Sequence, residues 1–269
     1  MKQMGKILAA AAAAAMLLSG CGSAASSSST ASSDSDVDYI KNKGTLIVGI
    51  TDFAPMDYKK DGSDEWIGFD ADLAKAVGKD LGVEVQFEEI DWDNKILELK
   101  NKSIDVVWNG MTLTDEVTKS MNCTDPYLRN AQVVVVPYDE ADKYSDKDSL
   151  KDLSFAVEAG SAGESAAKDN GFDYTAVSSQ SDALMNVEAG TSDAAIIDLL
   201  MAGAMIGEGT SYTDLTHTVE LSEEEYGIGC RQGSDLTDYI NKELDKFKED
   251  GTLQKLAEQY GVQDALITE

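Results

Sequence analysis

Residues 104–127, IDVVWNGMTLTDEVTKSMNCTDPY, form the stretch around which the rest of the chain is organised. The apolar run 104–108 predicts a buried strand that ends abruptly at Asn109-Gly110, followed by a polar turn and a short helix. Such an ending places backbone N–H groups and the hydroxyl of Thr112 at the carboxyl end of a sheet, where open α/β sheets bind ligands. We therefore predict a small-molecule site at this turn; an ordinary strand-to-helix connection is the alternative.

Strand and helix patterns alternate along the chain on both sides of this stretch. The first series has strands at 45–51, 83–87 and 104–108 and helices at 70–81, with Asp70 as its N-cap, and 93–101. After a strand at 132–137, the second series has strands at 155–158, 174–177 and 193–197 and helices from 161, at 181–189 and at 199–206. Two β-α-β-α-β units joined by a strand predict an α/β protein of two lobes, each a mostly parallel sheet flanked by helices.

The last part of the chain is predicted to return to the first lobe. It contains a short strand at 226–230 and two helices with apolar faces. Lobe 1 then comprises residues 37–130 plus 226–269, and lobe 2 comprises residues 131–225. A chain that leaves a lobe and returns to it crosses twice, so we expect two hinge strands between the lobes.

Composition excludes several classes of function. The chain has 269 residues, a formal net charge of −28 and a single histidine, His217. A surface of this charge repels phosphate backbones, so nucleic-acid binding is not expected. A single histidine argues against a Ser-His-Asp hydrolase and against a multi-histidine metal site. We expect no cofactor and no bound metal.

The N-terminus carries an export signal. Residues 1–20 combine a positive start, an apolar run and a Leu-Ser-Gly ending, which is the pattern of a secretory signal peptide. The following Cys21 completes a sequence that resembles the lipobox of bacterial lipoproteins, in which this cysteine is lipidated; an uncleaved anchor or a chance cysteine is the alternative. Residues 21–36, rich in Ser and Ala, predict a flexible tether. We expect an exported protein anchored by lipid to the outer face of the cell membrane.

From residue 44 to residue 261 the chain resembles the extracytoplasmic solute-binding proteins of polar amino acid ABC transporters. The resemblance is carried by GTLIVGITDFAPMDY (44–58), IGFDADLAKAVGKDLGVEVQF (67–87), NGMTLTDE (109–116), DPY (125–127), FAVEAGSAGE (155–164), SDAAIID (192–198), EYGIGCRQGSD (225–235) and DGTLQKLAEQYG (250–261). It implies a monomer with the periplasmic-binding-protein fold, whose two lobes close over a ligand by a hinge motion and which delivers it to a membrane permease. It also implies crossing strands near 127–132 and 221–226.

The resemblance further implies a set of ligand contacts. They fall on Asp52, Phe53, Trp92, Asn109, Gly110, Thr112, Ser161, Ala162 and Asp198. An amino acid ligand is a zwitterion: its carboxylate suits the helix start at Ser161-Ala162, its ammonium suits Asp198, and Phe53 and Trp92 would hold its side chain. Each residue has a structural alternative, namely an N-cap for Asp198, core for the two aromatic residues and a solvated loop acid for Asp52.

One position departs from the family pattern. Where relatives carry an arginine that binds the ligand carboxylate, this chain has Val117. Arg129, beside the first crossing, is our candidate substitute, with Lys119 or Lys95 as further possibilities. Glu158 adds to Asp52 and Asp198 and makes the predicted cleft acidic. This favours a cationic or amine-bearing ligand.

Cys123 and Cys230 remain once Cys21 is assigned to lipid. An even pair of cysteines in an exported protein suggests a disulfide, with two buried free thiols as the alternative.

Two functions other than solute binding for a permease also remain open at this stage. One is an amino-acid-sensing subunit that serves a receptor. The other is an enzyme resembling cyclohexadienyl dehydratase, although a tethered, exported N-terminus does not suit biosynthesis inside the cell, and we expect a protein that is not an enzyme.

Overall fold

The computed structural model describes residues 35–60 and 62–267. The predicted signal peptide, Cys21 and nearly all of the predicted tether lie outside the described residues. The end of the predicted tether is corrected: Ser35 caps a helix that begins at Asp36, because its hydroxyl accepts a hydrogen bond from the backbone N–H of Asp38 at 3.0 Å. Within the described ranges, no helix combines the length and apolar character needed to cross a bilayer.

The strands of the described residues are short, apart from two. They are β1 (Thr45–Ile50), β2 (Tyr58–Lys59), β3 (Trp66–Ile67), β4 (Glu84–Glu89), β5 (Val106–Val107), β6 (Asn122–Cys123), β7 (Leu128–Pro137), β8 (Ser154–Glu158), β9 (Asp173–Val177), β10 (Ala194–Asp198), β11 (Leu215–Tyr226) and β12 (Gly229–Cys230). The two long strands, β7 and β11, overlap the segments 127–132 and 221–226, where the resemblance implies the crossings, and extend beyond them. The predicted strand at 226–230 is divided, since Tyr226 ends β11.

Apart from α1, which the sequence patterns do not predict, the helices follow the predicted order. They are α1 (Asp36–Lys43), α2 (Phe69–Leu81), α3 (Lys95–Lys100), α4 (Asp115–Ser120), α5 (Ala162–Asn170), α6 (Gln180–Glu188), α7 (Leu199–Met205), α8 (Leu236–Glu249) and α9 (Thr252–Tyr260). In α2 the apolar residues Leu73, Val77 and Leu81 recur every four positions and are buried, and the helix ends at Gly82 in the left-handed conformation. The periodicity of the sequence therefore gives the correct buried face.

Two five-stranded sheets form the frame of the molecule. The first sheet has the order β4-β1-β5-β12-β6, and the second has the order β11-β7-β10-β8-β9. In each sheet three neighbouring strands are parallel to one another. The other two strands, β12 and β6 in the first sheet and β7 and β11 in the second, are antiparallel to their neighbours. The predicted α/β fold with two sheets is confirmed, and both sheets are mixed.

The two crossing strands, β7 and β11, pair with one another over most of their length. Tyr226 lies opposite Leu128 and Ser222 lies opposite Gln132 in the antiparallel ladder of β7 and β11. The chain leaves the first sheet after β6, enters the second through β7 and returns through β11 to β12. Two paired strands therefore connect the two sheets, and the carboxyl ends of β5, β8 and β10 lie near this connection.

The prediction of a disulfide between Cys123 and Cys230 is wrong in this structure, where both cysteines are free. The register of β6 and β12 gives the reason, because Cys123 lies opposite Gly229 and Cys230 lies opposite Asn122. Side chains alternate between the faces of a sheet, so the two thiols point to opposite faces. Consistent with this, Cys230 packs into the main core while Cys123 packs against a separate apolar cluster.

Iodoacetamide added to the denatured, unreduced protein is therefore expected to alkylate both Cys123 and Cys230. The register keeps the thiols apart, so no oxidised pair forms during folding. Peptide mass spectrometry measures the result, and a sample reduced before alkylation serves as the control. A peptide pair joined through these two cysteines would contradict the register seen in the sheet.

Candidate functional site

A cavity lies between the carboxyl ends of the two sheets. Its free volume is about 30 Å³, which is far below the roughly 300–1,000 Å³ of small-molecule sites, so its walls must move apart to admit a ligand. The predicted residues that line it are Phe53, Trp92, Asn109, Gly110, Thr112, Ser161, Ala162, Asp198 and Glu158. The residues come from loops and strand ends of both sheets, so the structure brings most of the predicted site together at one place.

The turn after β5 is fixed by a buried acid from α2. The carboxylate of Asp70 accepts a hydrogen bond from the backbone N–H of Gly110 at 2.7 Å and from the hydroxyl of Tyr127 at 2.8 Å. Burial raises the pKa of Asp70 to about 6. The expectation that Asp70 caps α2 is wrong, because Gly68 occupies the cap and the Asp70 side chain turns inward. Asp70 instead holds the ligand-facing turn in place.

Gly110 is required by both conformation and space. Its φ is +55°, in the left-handed region, and a Cβ at this position would lie 2.6 Å from Cε1 of Phe53. Beside it, the Asn109 amide donates to the Thr51 hydroxyl at 2.8 Å, while Asn109 Oδ1 is buried without a partner in the described structure. The predicted turn therefore carries a buried, unpartnered acceptor on a residue that lines the cavity.

The two predicted aromatic residues line the cavity and also belong to the core. Phe53 packs edge-on against Tyr226, with 6.4 Å between ring centroids. Trp92 lies under the ammonium of Lys95, whose Nζ is 4.9 Å from the ring centroid. The core and ligand-contact interpretations are thus compatible, since each ring contributes one part to packing and another to the cavity wall.

The second sheet contributes a helix start. Ser161 caps α5, and its hydroxyl accepts from the backbone N–H of Glu164 at 3.1 Å. Ala162 is the first residue of the helix, and both residues line the cavity. A helix N-terminus favours negative charge, so this wall can bind a carboxylate.

Asp198 ends β10 and is held by converging donors. Its Oδ1 accepts from the Asn130 amide at 2.5 Å, from the Gln132 amide at 3.1 Å and from the Tyr226 hydroxyl at 2.6 Å, and its Oδ2 accepts from the amide of Gln180. Its side chain makes no capping bond to α7, which excludes the simple N-cap interpretation. Burial, with the charge of nearby Glu224, raises the pKa of Asp198 well above its usual range.

These partners of Asp198 were not predicted from the sequence. Asn130 and Gln132 are polar residues two positions apart in the first half of β7, so alternation alone places them on one face. Glu224 of β11 accepts from both amides, at 2.6 and 2.9 Å, and from the Thr112 hydroxyl at 2.8 Å. The crossing strands therefore contribute directly to the site, and the polar alternation in β7 was the available signal.

Two predicted residues lie outside the cavity. Asp52 is exposed and lines a separate cleft with Tyr58 and Tyr260, so the loop-acid alternative is correct for it. Arg129 is exposed and lines a larger neighbouring cleft. It is adjacent to Asn130 in β7 and so faces the side away from Asp198. Arg129 therefore does not supply a cation to this cavity.

Lys95 is the cationic side chain that the structure brings into the cavity. It is 7% exposed and donates to the carbonyl oxygens of Trp92 at 3.1 Å and Gly160 at 2.7 Å. Burial lowers the pKa of Lys95, against the opposing charge of Glu116. Lys119, the other lysine considered, is exposed and pairs with its neighbour Asp115 at 2.7 Å.

Glu158, the last residue of β8, is 4% exposed, and its Oε1 has no hydrogen-bond partner in the described structure. Burial raises the pKa of Glu158 to about 8, although the charge of Lys95 opposes the shift. The folded protein therefore favours the protonated carboxyl more strongly than the unfolded chain does. The stability that this contributes is fully present below pH 4.5 and is lost as the pH rises through 8.

Glu158→Gln is consequently expected to raise the Tm of the ligand-free protein by several degrees above pH 8 and to change it little below pH 4.5. The substitution keeps the shape of the side chain and removes the buried charge. Thermal unfolding followed by circular dichroism from pH 4 to pH 9 measures the difference. Parallel profiles for the two proteins would contradict the raised pKa.

A cavity between two sheets, closed behind by a pair of crossing strands, defines a solute-binding protein of the two-lobed class. Comparison with protein families agrees: the model of the bacterial extracellular solute-binding proteins, family 3, matches residues 46–263. The chain belongs to this family.

Individual relatives are similar over most of their length. The chain is 34% identical to the arginine-binding extracellular protein ArtP of Bacillus subtilis (strain 168), over 81% of this chain and 86% of that protein. It is 28% identical to the L-cystine-binding protein TcyJ of Escherichia coli (strain K12), over 82% and 84% of the two chains. Among solved structures, an ancestral arginine-binding protein bound to arginine superposes with a TM-score of 0.73 and 35% identity, covering 81% of this chain and 98% of that chain.

Proposed function

We propose that this protein is the solute-binding component of an ABC importer and that it captures a polar amino acid, preferably one with a cationic side chain. The observation that carries the proposal is the composition of the cavity wall. Asp198 supplies a carboxylate for the α-ammonium, Trp92 an aromatic face, and Glu158 a second acid. An acidic cavity with one aromatic wall suits a ligand of net positive charge better than a neutral or anionic one.

Closure of the two halves completes the site in this proposal. The boundaries proposed are residues 37–130 plus 226–269 for one lobe and 131–225 for the other, with β7 and β11 as the hinge. Contacts such as that of the Lys95 ammonium with the carbonyl oxygen of Gly160 form between the halves as they close. Ligand groups that touch both walls would favour the closed state, which is the requirement for a ligand to shift such an equilibrium.

The proposal extends to the cellular setting. The protein works as a monomer, without enzymatic activity, and passes its ligand to a membrane permease. Cys21 carries the lipid that holds it at the outer face of the membrane. The reported relatives are binding proteins, and the family is extracellular, which supports this setting.

Isothermal titration of the full-length chain with L-arginine, L-histidine and L-cystine tests the function. We expect saturable binding at a single site by at least one of them, tightest for arginine. Tryptophan fluorescence should change with the same dissociation constant, because Trp92 lines the cavity. Failure of every amino acid in the set to bind, with a protein that unfolds cooperatively, would contradict the proposed function.

A further inference from the structure

Two buried ionisable side chains of opposite sign line the same cavity from its two sides. Lys95 is at the start of α3, beside the first sheet, and Glu158 ends β8 of the second sheet. They are 7% and 4% exposed. Within residues 35–60 and 62–267, neither forms an ion pair within 4 Å. Each charge is thus buried without a counter-charge in contact.

Both groups retain unused capacity to hydrogen-bond. A lysine ammonium has three N–H donors, and two of those of Lys95 are directed to backbone carbonyl oxygens. Glu158 Oε1 is a buried acceptor without a partner in the described structure. Leaving such groups unpaired costs free energy, and a ligand that supplies an anion to one and a cation to the other removes that cost.

The other charged groups near Lys95 and Glu158 do not form ion pairs with them. The acids near Lys95 are Glu116, Asp93 and Glu164, in addition to Glu158 itself. Asp182, at the first turn of α6, is the further charged group that faces Glu158. Asp198 accepts from three side-chain donors at Oδ1 and from one at Oδ2, so Oδ2 keeps capacity for one further donor, the α-ammonium of the ligand. Among the described residues that line the cavity, Lys95 is the one lysine or arginine, and Val117 adds an apolar surface.

We propose that Lys95 and Glu158 determine specificity by binding opposite ends of the ligand: Lys95 binds the carboxylate, and Glu158 binds a side-chain ammonium or guanidinium. This inference rests on the proposed function and narrows the ligand to diamino or guanidino amino acids. Lys95 thereby supplies a cation in a wall where position 117 is valine. The α-ammonium then lies nearest to Asp198.

Three probes separate the two contacts. L-arginine carries a carboxylate and a guanidinium, agmatine lacks the carboxylate, and L-citrulline replaces the guanidinium with a neutral group of similar shape. The unmodified full-length chain is expected to bind L-arginine about 30-fold or more tightly than either analogue, since each analogue leaves one buried charge unpaired. This comparison requires no substitution and so does not depend on the folding of a variant.

Two variants then test which of the two side chains binds each end of the ligand. Lys95→Met is expected to lower the affinity for L-arginine about 30-fold or more and the affinity for agmatine less than about threefold. Glu158→Gln is expected to lower the affinity for L-arginine by a similar factor. Its affinity for L-citrulline should stay within about threefold of that of the unmodified chain. The matched surface controls, Lys119→Met and Glu188→Gln, change the same charges at exposed positions and should leave all three affinities unchanged.

The pH dependence gives an independent reading of Glu158. The affinity for L-arginine should rise from pH 6 to pH 8, because the carboxyl, whose pKa burial raises to about 8, must release its proton to meet the cation. In Glu158→Gln this rise should be smaller, and the part that remains belongs to Asp198, whose pKa is also raised by burial.

The outcomes separate this inference from the function on which it rests. It is overturned, with the function intact, if Lys95→Met weakens L-arginine and agmatine equally and Glu158→Gln weakens L-arginine and L-citrulline equally. Binding of only uncharged amino acids such as L-cystine would overturn it in the same way. If no amino acid binds the unmodified chain, the proposed function itself fails and the inference fails with it.

Discussion

Gly160→Ala is expected to lower the affinity for amino acids at least about tenfold without changing any side chain that contacts the ligand. A Cβ on Gly160 would lie 2.6 Å from the Cα of Asp93, in the 3₁₀ turn Trp92–Asn94 on the opposite wall of the cavity. Backbone on both sides leaves little room for adjustment, so closing the two halves becomes unfavourable by more than about 1.4 kcal/mol, which is a factor of ten in affinity. Titration calorimetry with the tightest amino acid measures the loss.

Gly171→Ala is the matched control. Gly171 has a φ of +69°, against +70° for Gly160, but its Cβ would meet no atom within 4 Å. Both substitutions carry the same penalty of about 1–2 kcal/mol for a left-handed alanine, so their Tm values should fall alike. Only Gly160→Ala should lose affinity. Equal affinities for the two variants would show that the halves do not close at Gly160 when the ligand binds.

Asp198→Asn is expected to weaken amino acid binding about 100-fold or more. The carboxylate is buried, and the ligand ammonium would lose its counter-charge in a site of low dielectric constant, where such a change costs about 2–5 kcal/mol. The new amide keeps an oxygen for the donors of Asn130, Gln132 and Tyr226, but it directs N–H groups at the amide of Gln180, which now donates to Oδ2. Affinity at pH 7 and thermal unfolding report the two effects separately.

Tyr226→Phe separates the charge of Asp198 from its surroundings. It removes one hydrogen bond of 2.6 Å to Asp198 and leaves the ring, which packs against Phe53, in place. We expect a loss of less than about tenfold in affinity. A loss as large as that of Asp198→Asn would mean that the position of the carboxylate, and not its charge, determines binding.

Much of the fold follows from local patterns in the sequence. Apolar residues every four positions identify the buried face of α2, and alternation identifies β4. The polar turn at Asn109-Gly110 is required by a left-handed φ and by the proximity of Phe53, which are local demands that glycine meets. These features are predictable because the residues involved determine their own backbone conformation.

The errors concern contacts between distant parts of the chain. Asp70 satisfies the composition of an N-cap, but its partners Gly110 and Tyr127 are brought to it by the tertiary fold. The faces of Cys123 and Cys230 depend on the register of β6 and β12, which the sequence does not fix. Neither pairing can be deduced from spacing along the chain.

The candidate site also combines features that local sequence predicts with features that depend on tertiary contacts. Asp198 and Trp92 line the cavity as the sequence predicts, because each lies between a strand and a helix at the cavity edge. Asp52 was not, since it neighbours Phe53 in the chain but faces a different cleft. The choice of Lys95 over Arg129 required the structure, because it depends on which face of β7 and which end of α3 point into the cavity.

The crystal structure of the full-length chain with the amino acid that it binds most tightly tests the central claim most directly. We predict one ligand molecule in the cavity between the sheets, with its α-ammonium within hydrogen-bonding distance of Asp198 and its side chain against Trp92. A ligand bound in the larger cleft beside Arg129, or one that contacts a single sheet only, would contradict this account.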